Sequence, residues 1–473
     1  MKYRFLNIFA ILGCLTMSSC SKFLEEQSQS EVIPKTAIDY RELLMGSGYL
    51  GQTEPTSFLY FMDDDVDLFL EYADGNASIV GSDDAVRNFL YYTWQPRLAD
   101  VDGLGNITGE DPASTAYYAF YEKIMGCNAV LDNINSSIGT EDEKNRVKAE
   151  ALAMRSFYYF RLVNLYGMPY NSDPTAPGVP LKLNSGIDNL PMKRNTVKEV
   201  YDVIVRDLNL AADLMDPLPI ARRDYHINQP AIHILLSRVY LYMERWEDCI
   251  KEADKVFQQG GVITDMTGYT TGYWITYTNP EVEWMFGGNP QANQSTYIPS
   301  ADFRGTFDPQ DVRLNYGFSI LPQTFTPLVT KYTQSDELSQ GIRSSEALLN
   351  RAEAYVQVDE LEKAMADLNQ LRSHRIIGYS NESISEKNTL LQAVRDERRK
   401  EFCYEGFRWF DLRRYGMPSI SHRYQHQLGE AVLHYVLKAK DPMYVLPFPN
   451  SLILRNTELE QNPSANIPER IGE

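Results

Sequence analysis

Tyr269, Tyr273, Trp274 and Tyr277 crowd into the run DMTGYTTGYWITYTN, between Asp265 and Asn279. Rings of this kind offer a broad apolar plane at low cost in side-chain entropy, and they stack on any solute with a face of C–H groups. A sugar ring is such a solute, and its hydroxyls need flanking Asn, Asp, Gln or Arg. Gly268 and Gly272 let the backbone bend between the rings. A second run, EYADGN, adds Tyr72, Asp74 and Asn76. The candidate ligand-binding residues are therefore Tyr72, Asn76, Tyr269, Tyr273, Trp274 and Tyr277. The competing explanation is that these rings fill a satellite core beneath long loops. Trp284, in the alternating stretch EVEWMF, reads as core.

Other constellations carry less. There is no G-x-S-x-G, P-loop, H-E-x-x-H or G-x-G-x-x-G. With 64 acidic residues, carboxylate pairs of the glycosidase kind arise by chance. The chain therefore reads as a binder that changes no covalent bond, not as an enzyme, and no cofactor or metal is expected. His422, His426 and His434 would share a helical face with Glu430, but Gly429 interrupts it and the pattern then alternates, so these are loop and strand histidines. Asp63, Asp64, Asp65 and Asp67 lack the glycine and distal Glu of a calcium loop and read as a solvated acidic turn. In RDERRKEFCYEGFRWFDLRR, Glu397, Glu401, Glu405 and Asp411 offset the arginines, which predicts internal ion pairs clamping the last helix rather than a nucleic-acid surface. A net charge of −19 also argues against nucleic acid and against charge-driven docking on acidic membranes.

The elements that must position the aromatic runs are helical. Thr140 and Glu143 form a capping-box pair ahead of a run that is apolar on most faces and ends at Gly167 and Pro169. Residues 114–134 form its hairpin partner. Thr196 and Glu199 open a second amphipathic helix with Val197, Val200, Ile204, Leu208 and Ala211 on one face. Residues 229–261 and 345–375 each read as two helices joined by a tight turn, in the manner of tetratricopeptide pairs, with small residues such as Cys249 and Ala364 at the close approach. A last helix covers about Glu386 to Tyr404. Residues 47–113 and 261–335 lack helical periodicity, and loops of such length in a compact protein are usually functional.

The N-terminus has its own logic. Lys2 and Arg4 precede an apolar run from Phe5 to about Leu15, too short to span a bilayer, and small residues lead to Cys20. Residues 1–19 read as an export signal, and Met17-Ser18-Ser19-Cys20 resembles a bacterial lipobox. Cys20 is the predicted lipid attachment site, with Cys14 as a rival and an ordinary signal peptide as the plainer alternative. Residues 20–30 then form a polar tether. The remaining Cys127, Cys249 and Cys403 lack metal spacing and read as buried free thiols.

Several blocks occur in a telling order: Cys20 with SKFLEE, then EALAMRSFYYFRLVNLYGMPY, AIHILLSRVYLYMERWEDCIKEADKV, NPEVEWMF, Phe307 with DVR, SSEALLNRAEAY, RDERRKEFCYEGFRWFDLRRYG and YVLPFPNSLILRNTELEQNP. In these the chain resembles the SusD/RagB-like family of outer-membrane nutrient-binding lipoproteins. The resemblance implies a mainly α fold: one domain over 31–473, four tetratricopeptide-like helix pairs as scaffold, a long irregular excursion laid on it, and a few short strands. It implies a protein lipid-anchored in the outer membrane at the cell surface, binding an oligosaccharide or other nutrient. It also implies a partner, a TonB-dependent (SusC-like) transporter barrel over which the protein acts as a lid. A binder of peptide or another non-sugar nutrient, or a structural partner without its own ligand, remains the alternative. The family's binding residues vary with substrate, so no site residue carries over from it.

Overall fold

The computed structural model describes residues 33–473 apart from 52–54, 69–79, 81, 110–114, 188–189, 270–273, 288–297, 322–325, 330, 332–337, 339 and 428, together with the side chains of 319–321 and 326–328. Tyr72, Asn76, Tyr273 and Cys20 lie outside the described residues.

The scaffold is built of helices packed chiefly as antiparallel pairs. It begins with α1 (Ala37–Leu43), capped by Thr36, and α2 (Asp83–Tyr92). The hairpin of α3 (Ala116–Asn133) and α4 (Glu141–Tyr166) follows. Thr140 accepts from Glu143 N while the Glu143 carboxylate accepts from Thr140 N, and this closes the predicted capping box. From Ala149 to Tyr166 every residue of α4 is buried, as a helix apolar on most faces requires. α5 (Val197–Met215), with the second predicted box, packs on α4.

α6 (Gln229–Tyr242) and α7 (Trp246–Gln258) form a hairpin, as do α8 (Ser344–Gln357) and α9 (Leu361–Ser373). Glu244 and Asp359 make the two tight turns with φ of 58° and 62°. Cys249 and Ala364 are fully buried where the helices meet, and Cys249 Sγ donates to Asn350 O at 3.5 Å, so small side chains do permit the close approach. α10 (Lys387–Glu401) lies on α8, and the chain bends through Gly406 (φ 74°) into α11 (Arg408–Arg414).

Among the described residues the strands are short and pair in twos. β1 (Val66–Asp67) pairs with β3 (Ile298–Pro299), β2 (Val282–Phe286) with β6 (Gln340–Arg343), β4 (Phe318–Leu321) with β5 (Thr326–Val329), and β7 (Ile420–Tyr424) with β8 (Leu433–Leu437). The β2–β6 ladder sets Phe286 opposite Gln340. The irregular excursion thus leaves and rejoins the scaffold at one place. β1–β3 ties the earlier irregular stretch to it.

Three sequence expectations change. Residues 47–113 contain a true helix, α2; Ser82 accepts from Ala85 N at 3.2 Å and Asp83 and Asp84 occupy its first turn, a start signal that the polar composition obscured. β2 does not alternate, because all five of its residues are buried between scaffold and excursion. The last helix ends at Glu401 rather than Tyr404.

Candidate functional site

Beneath the excursion lies a buried lattice of charges. Glu281, just before β2, accepts from Arg343 at 3.0 Å and from Arg375 at 3.0 and 3.2 Å. Glu401, at the end of α10, accepts from Arg343 (2.7 Å), Arg375 (3.0 Å) and Arg313 (3.0 Å). Arg313 is bidentate on Asp311 and reaches Glu397; Glu405 holds Arg343 and Lys331. Burial alone would raise the Glu401 carboxyl, but Arg375 and Arg343 outweigh it and hold it well below the usual range. Glu397 is held down to about 2, burial again being overcome by Arg313 and Arg372. Planar, bidentate arginines give such a lattice fixed geometry more than net stability. The predicted clamp of the last helix therefore exists, and it reaches into β2, β6 and the loop after α9.

Trp274 is seated on this lattice. The Arg375 Cζ lies 4.2 Å from its ring centroid and the Arg343 Cζ 5.5 Å. Trp274 belongs to a small cluster with Met266, Ile275, Val282, Met285 and Val312, and is only 4% exposed. It is thus satellite core and floor, not the open stacking platform its sequence suggests. Above it lies a narrow crevice, open toward solvent and with interior room for about one water molecule, lined by Trp274, Phe307, Tyr316, Phe318, the three cations Arg313, Lys331 and Lys400, and Glu401. Phe307 and Phe318 meet edge to face at 5.7 Å. Among the described residues the Trp274 Nε1–H has no acceptor. Trp284 and Trp409 share that feature, so the orphan donor adds only a little here.

The remaining predicted residues divide. Tyr269, 44% exposed, meets half-buried Tyr316 edge to face at 6.2 Å, beside the cleft. Tyr277 stacks on the exposed Tyr225 at 4.5 Å, which covers one of its faces. The structure thus links Tyr269 and Trp274 through Tyr316 and gives Tyr277 a different neighbour. Sequence reasoning passed over Tyr316, Phe307 and Phe318 as site residues, and over Lys400 entirely. The signal was present in the lysine at the end of RDERRK, two positions before Phe402.

The acidic turn is not solvated. Asp63 and Asp65 are buried; Asp64 is bidentate on Arg408 at 2.6 and 2.7 Å, and Asp65 takes Arg399 at 2.6 Å. The three carboxylates lie close enough to hold a cation. Arg399 and Arg408 already occupy Asp64 and Asp65, and burial raises Asp63 well above the usual carboxyl range. This is a clasp between the β1 region and the α10–α11 corner. His422 sits in β7 with both ring nitrogens 2.7 and 2.8 Å from the carbonyls of Tyr92 and Asp63, stacked between Tyr92 and Trp94. It is a strand histidine, as expected, with no nitrogen left for a metal. Cys127, Cys249 and Cys403 are free and buried.

Comparison with known proteins follows the same lines. A family model described as "Starch-binding associating with outer membrane" matches residues 22–241, and the SusD family model matches 326–464. The chain belongs to the SusD/RagB-like family. Solved SusD relatives superpose over nearly their whole length. A putative sugar-binding protein from Bacteroides vulgatus is 25% identical, with TM-score 0.69 over 92% of this chain and 99% of that one. A SusD superfamily protein from Bacteroides thetaiotaomicron is 25% identical, with TM-score 0.68 over 90% and 100%. A SusD-like carbohydrate-binding protein from Bacteroides vulgatus, at 21% identity, shares the fold with TM-score 0.69 over 90% and 97%. No curated protein matches the sequence. In this SusD fold, no helix among the described residues is long and apolar enough to cross a membrane.

Proposed function

We propose that the protein is a cell-surface lipoprotein that binds an oligosaccharide without altering it and passes it to a TonB-dependent transporter in the outer membrane. The observation that carries this reading is the crevice of Trp274, Phe307, Tyr316 and Phe318 set on a buried lattice of ion-paired charges. A sugar lies across its mouth, its C–H face on Tyr316 and Tyr269 and its hydroxyls toward the charged rim. A narrow open cleft of this kind binds weakly, with ~4 to 8 kcal/mol, or roughly millimolar to micromolar affinity. The names of two relatives, a putative sugar-binding and a carbohydrate-binding protein, agree with this ligand class.

Other hollows fit the role less well. A larger one, about 430 Å³, is lined by Met168, Met417, Val445 and prolines around Arg194, and has no aromatic ring. Arg194 there is consumed by the carbonyls of Tyr166, Pro177, Gly178 and Glu460. Anchoring follows from acylation at Cys20. Delivery to a barrel partner follows from the family resemblance.

Calorimetry and affinity electrophoresis against a panel of glycans and short peptides test the ligand class. Binding of a glycan that weakens in Tyr316→Ala supports the reading. Binding of peptides alone, or chemical conversion of the glycan, overturns it.

A further inference from the structure

We propose that the ligand of this cleft is an acidic glycan, with a carboxylate or sulfate ester on its sugar ring held by Lys400. The inference rests on the reading of the cleft as a glycan site and adds the class of sugar.

The chain carries a net charge of −19, yet the cleft is lined by three cations, Arg313, Lys331 and Lys400, and one carboxylate, Glu401. Two of those cations are fully engaged. Arg313 takes Asp311, Glu397 and Glu401. Lys331 takes Glu405 and the carbonyls of Glu401 and Cys403, at 2.6 and 3.1 Å. Lys400 differs. It projects from the last turn of α10, is half-buried, and holds its ammonium 5.8 Å above the Phe307 ring centroid.

Among the described residues no carboxylate comes within ion-pair distance of Lys400. The acids closest to its surroundings are committed elsewhere, Glu397 to Arg313 and Arg372, and Asp311 to Arg313. Burial draws the Lys400 ammonium below its ordinary pKa, with Arg313 and Arg372 adding to the fall against Glu397 and Asp311. A half-desolvated cation without a counter-ion is a cost to the free protein, and an incoming anion removes it. A neutral sugar leaves the cost in place. The aromatic wall therefore selects a ring, and Lys400 selects a ring bearing negative charge.

The test compares matched pairs of oligosaccharides by calorimetry: neutral against uronate-containing, and neutral against sulfated. The proteins are wild type, Lys400→Gln and Lys400→Arg, with melting temperatures measured alongside. The expected result is at least about tenfold tighter binding of one anionic form over its neutral counterpart, a preference that shrinks with added salt. It should vanish in Lys400→Gln and persist in Lys400→Arg. The two anionic arms tell carboxylate from sulfate.

Equal binding of neutral and anionic forms by wild type overturns the inference and leaves the glycan reading standing, as does a preference that survives in Lys400→Gln. Binding of no glycan overturns both. Should Lys400→Gln fail to fold, the salt dependence in wild type and in Lys400→Arg decides: a preference insensitive to salt overturns the inference.

Discussion

The guanidinium carbon of Arg375 sits 4.2 Å from the ring centroid of Trp274, and Arg375 is itself held by Glu281 and Glu401. This one stack joins the irregular excursion to the end of the last long helix. It explains how a segment with little regular structure can present rings in a fixed place. The lattice orders Trp274, and Trp274 floors the cleft on which Tyr316, Phe307 and Phe318 stand. Preorganised groups bind with less loss of entropy than groups that must be ordered by the ligand.

If Tyr316 and Tyr269 form the stacking surface, Tyr316→Ala should weaken glycan binding by two- to tenfold, the equivalent of about 0.5–1.5 kcal/mol for one aromatic contact. Tyr277→Ala should change binding far less, because Tyr277 spends a face on Tyr225. Calorimetric titration of both variants checks the contrast. Equal losses would move the site toward Tyr225.

Glu401 accepts from three buried arginines, so Glu401→Gln strips the lattice of its shared anion. Breaking a buried pair by removing one partner costs about 3–5 kcal/mol. Chemical denaturation should show a loss of that order in Glu401→Gln. A change near zero would mean that the remaining acids compensate.

The sequence disclosed the scaffold because helices announce themselves locally. The boxes at Thr140 and Thr196, a tight turn inside each helix pair, and the small residues Cys249 and Ala364 are all near-neighbour signals, and the structure reproduces them. The cleft is a different matter. Lys400 and Trp274 are 126 positions apart in the chain, and no periodicity reports that they line one hollow. The same blindness turned Asp63 to Asp65 into a solvated turn, since their partners Arg399 and Arg408 lie more than 330 residues away. It also made Trp274 look like an open platform. A ring in a glycine-rich loop gives no local sign that a distant arginine will cover its face.

The acidic clasp should be indifferent to calcium. Arg408 and Arg399 already neutralise Asp64 and Asp65, and Asp63 is raised by burial and by its acidic neighbours. Melting temperatures in calcium and in chelator should coincide, whereas Asp64→Asn should destabilise by about 1–3 kcal/mol through loss of its charged hydrogen bonds. A marked rise in melting temperature with calcium would contradict this account.

His233 bridges Glu252 at 2.6 Å through Nδ1 and Asp216 at 2.9 Å through Nε2, which requires a proton on both nitrogens. Burial alone would lower its pKa, but the two carboxylates raise it above the ordinary 6.5. The folded state therefore binds more protons than the unfolded state above that value. The contribution is complete below pH 6.5 and fades as pH rises through the folded value. The stability gap between wild type and His233→Gln should narrow as pH rises above 6.5. A gap that widens over this range would reverse the assignment.

The central claim is that rings at this cleft hold a glycan without changing it. The most direct measurement is a crystal structure of the mature protein with an oligosaccharide shown by calorimetry to bind. The account predicts an intact sugar lying against Tyr316 and Tyr269, with Lys400 near its edge. An oligosaccharide seated elsewhere, such as the hollow beside Arg194, or one found cleaved, would contradict it.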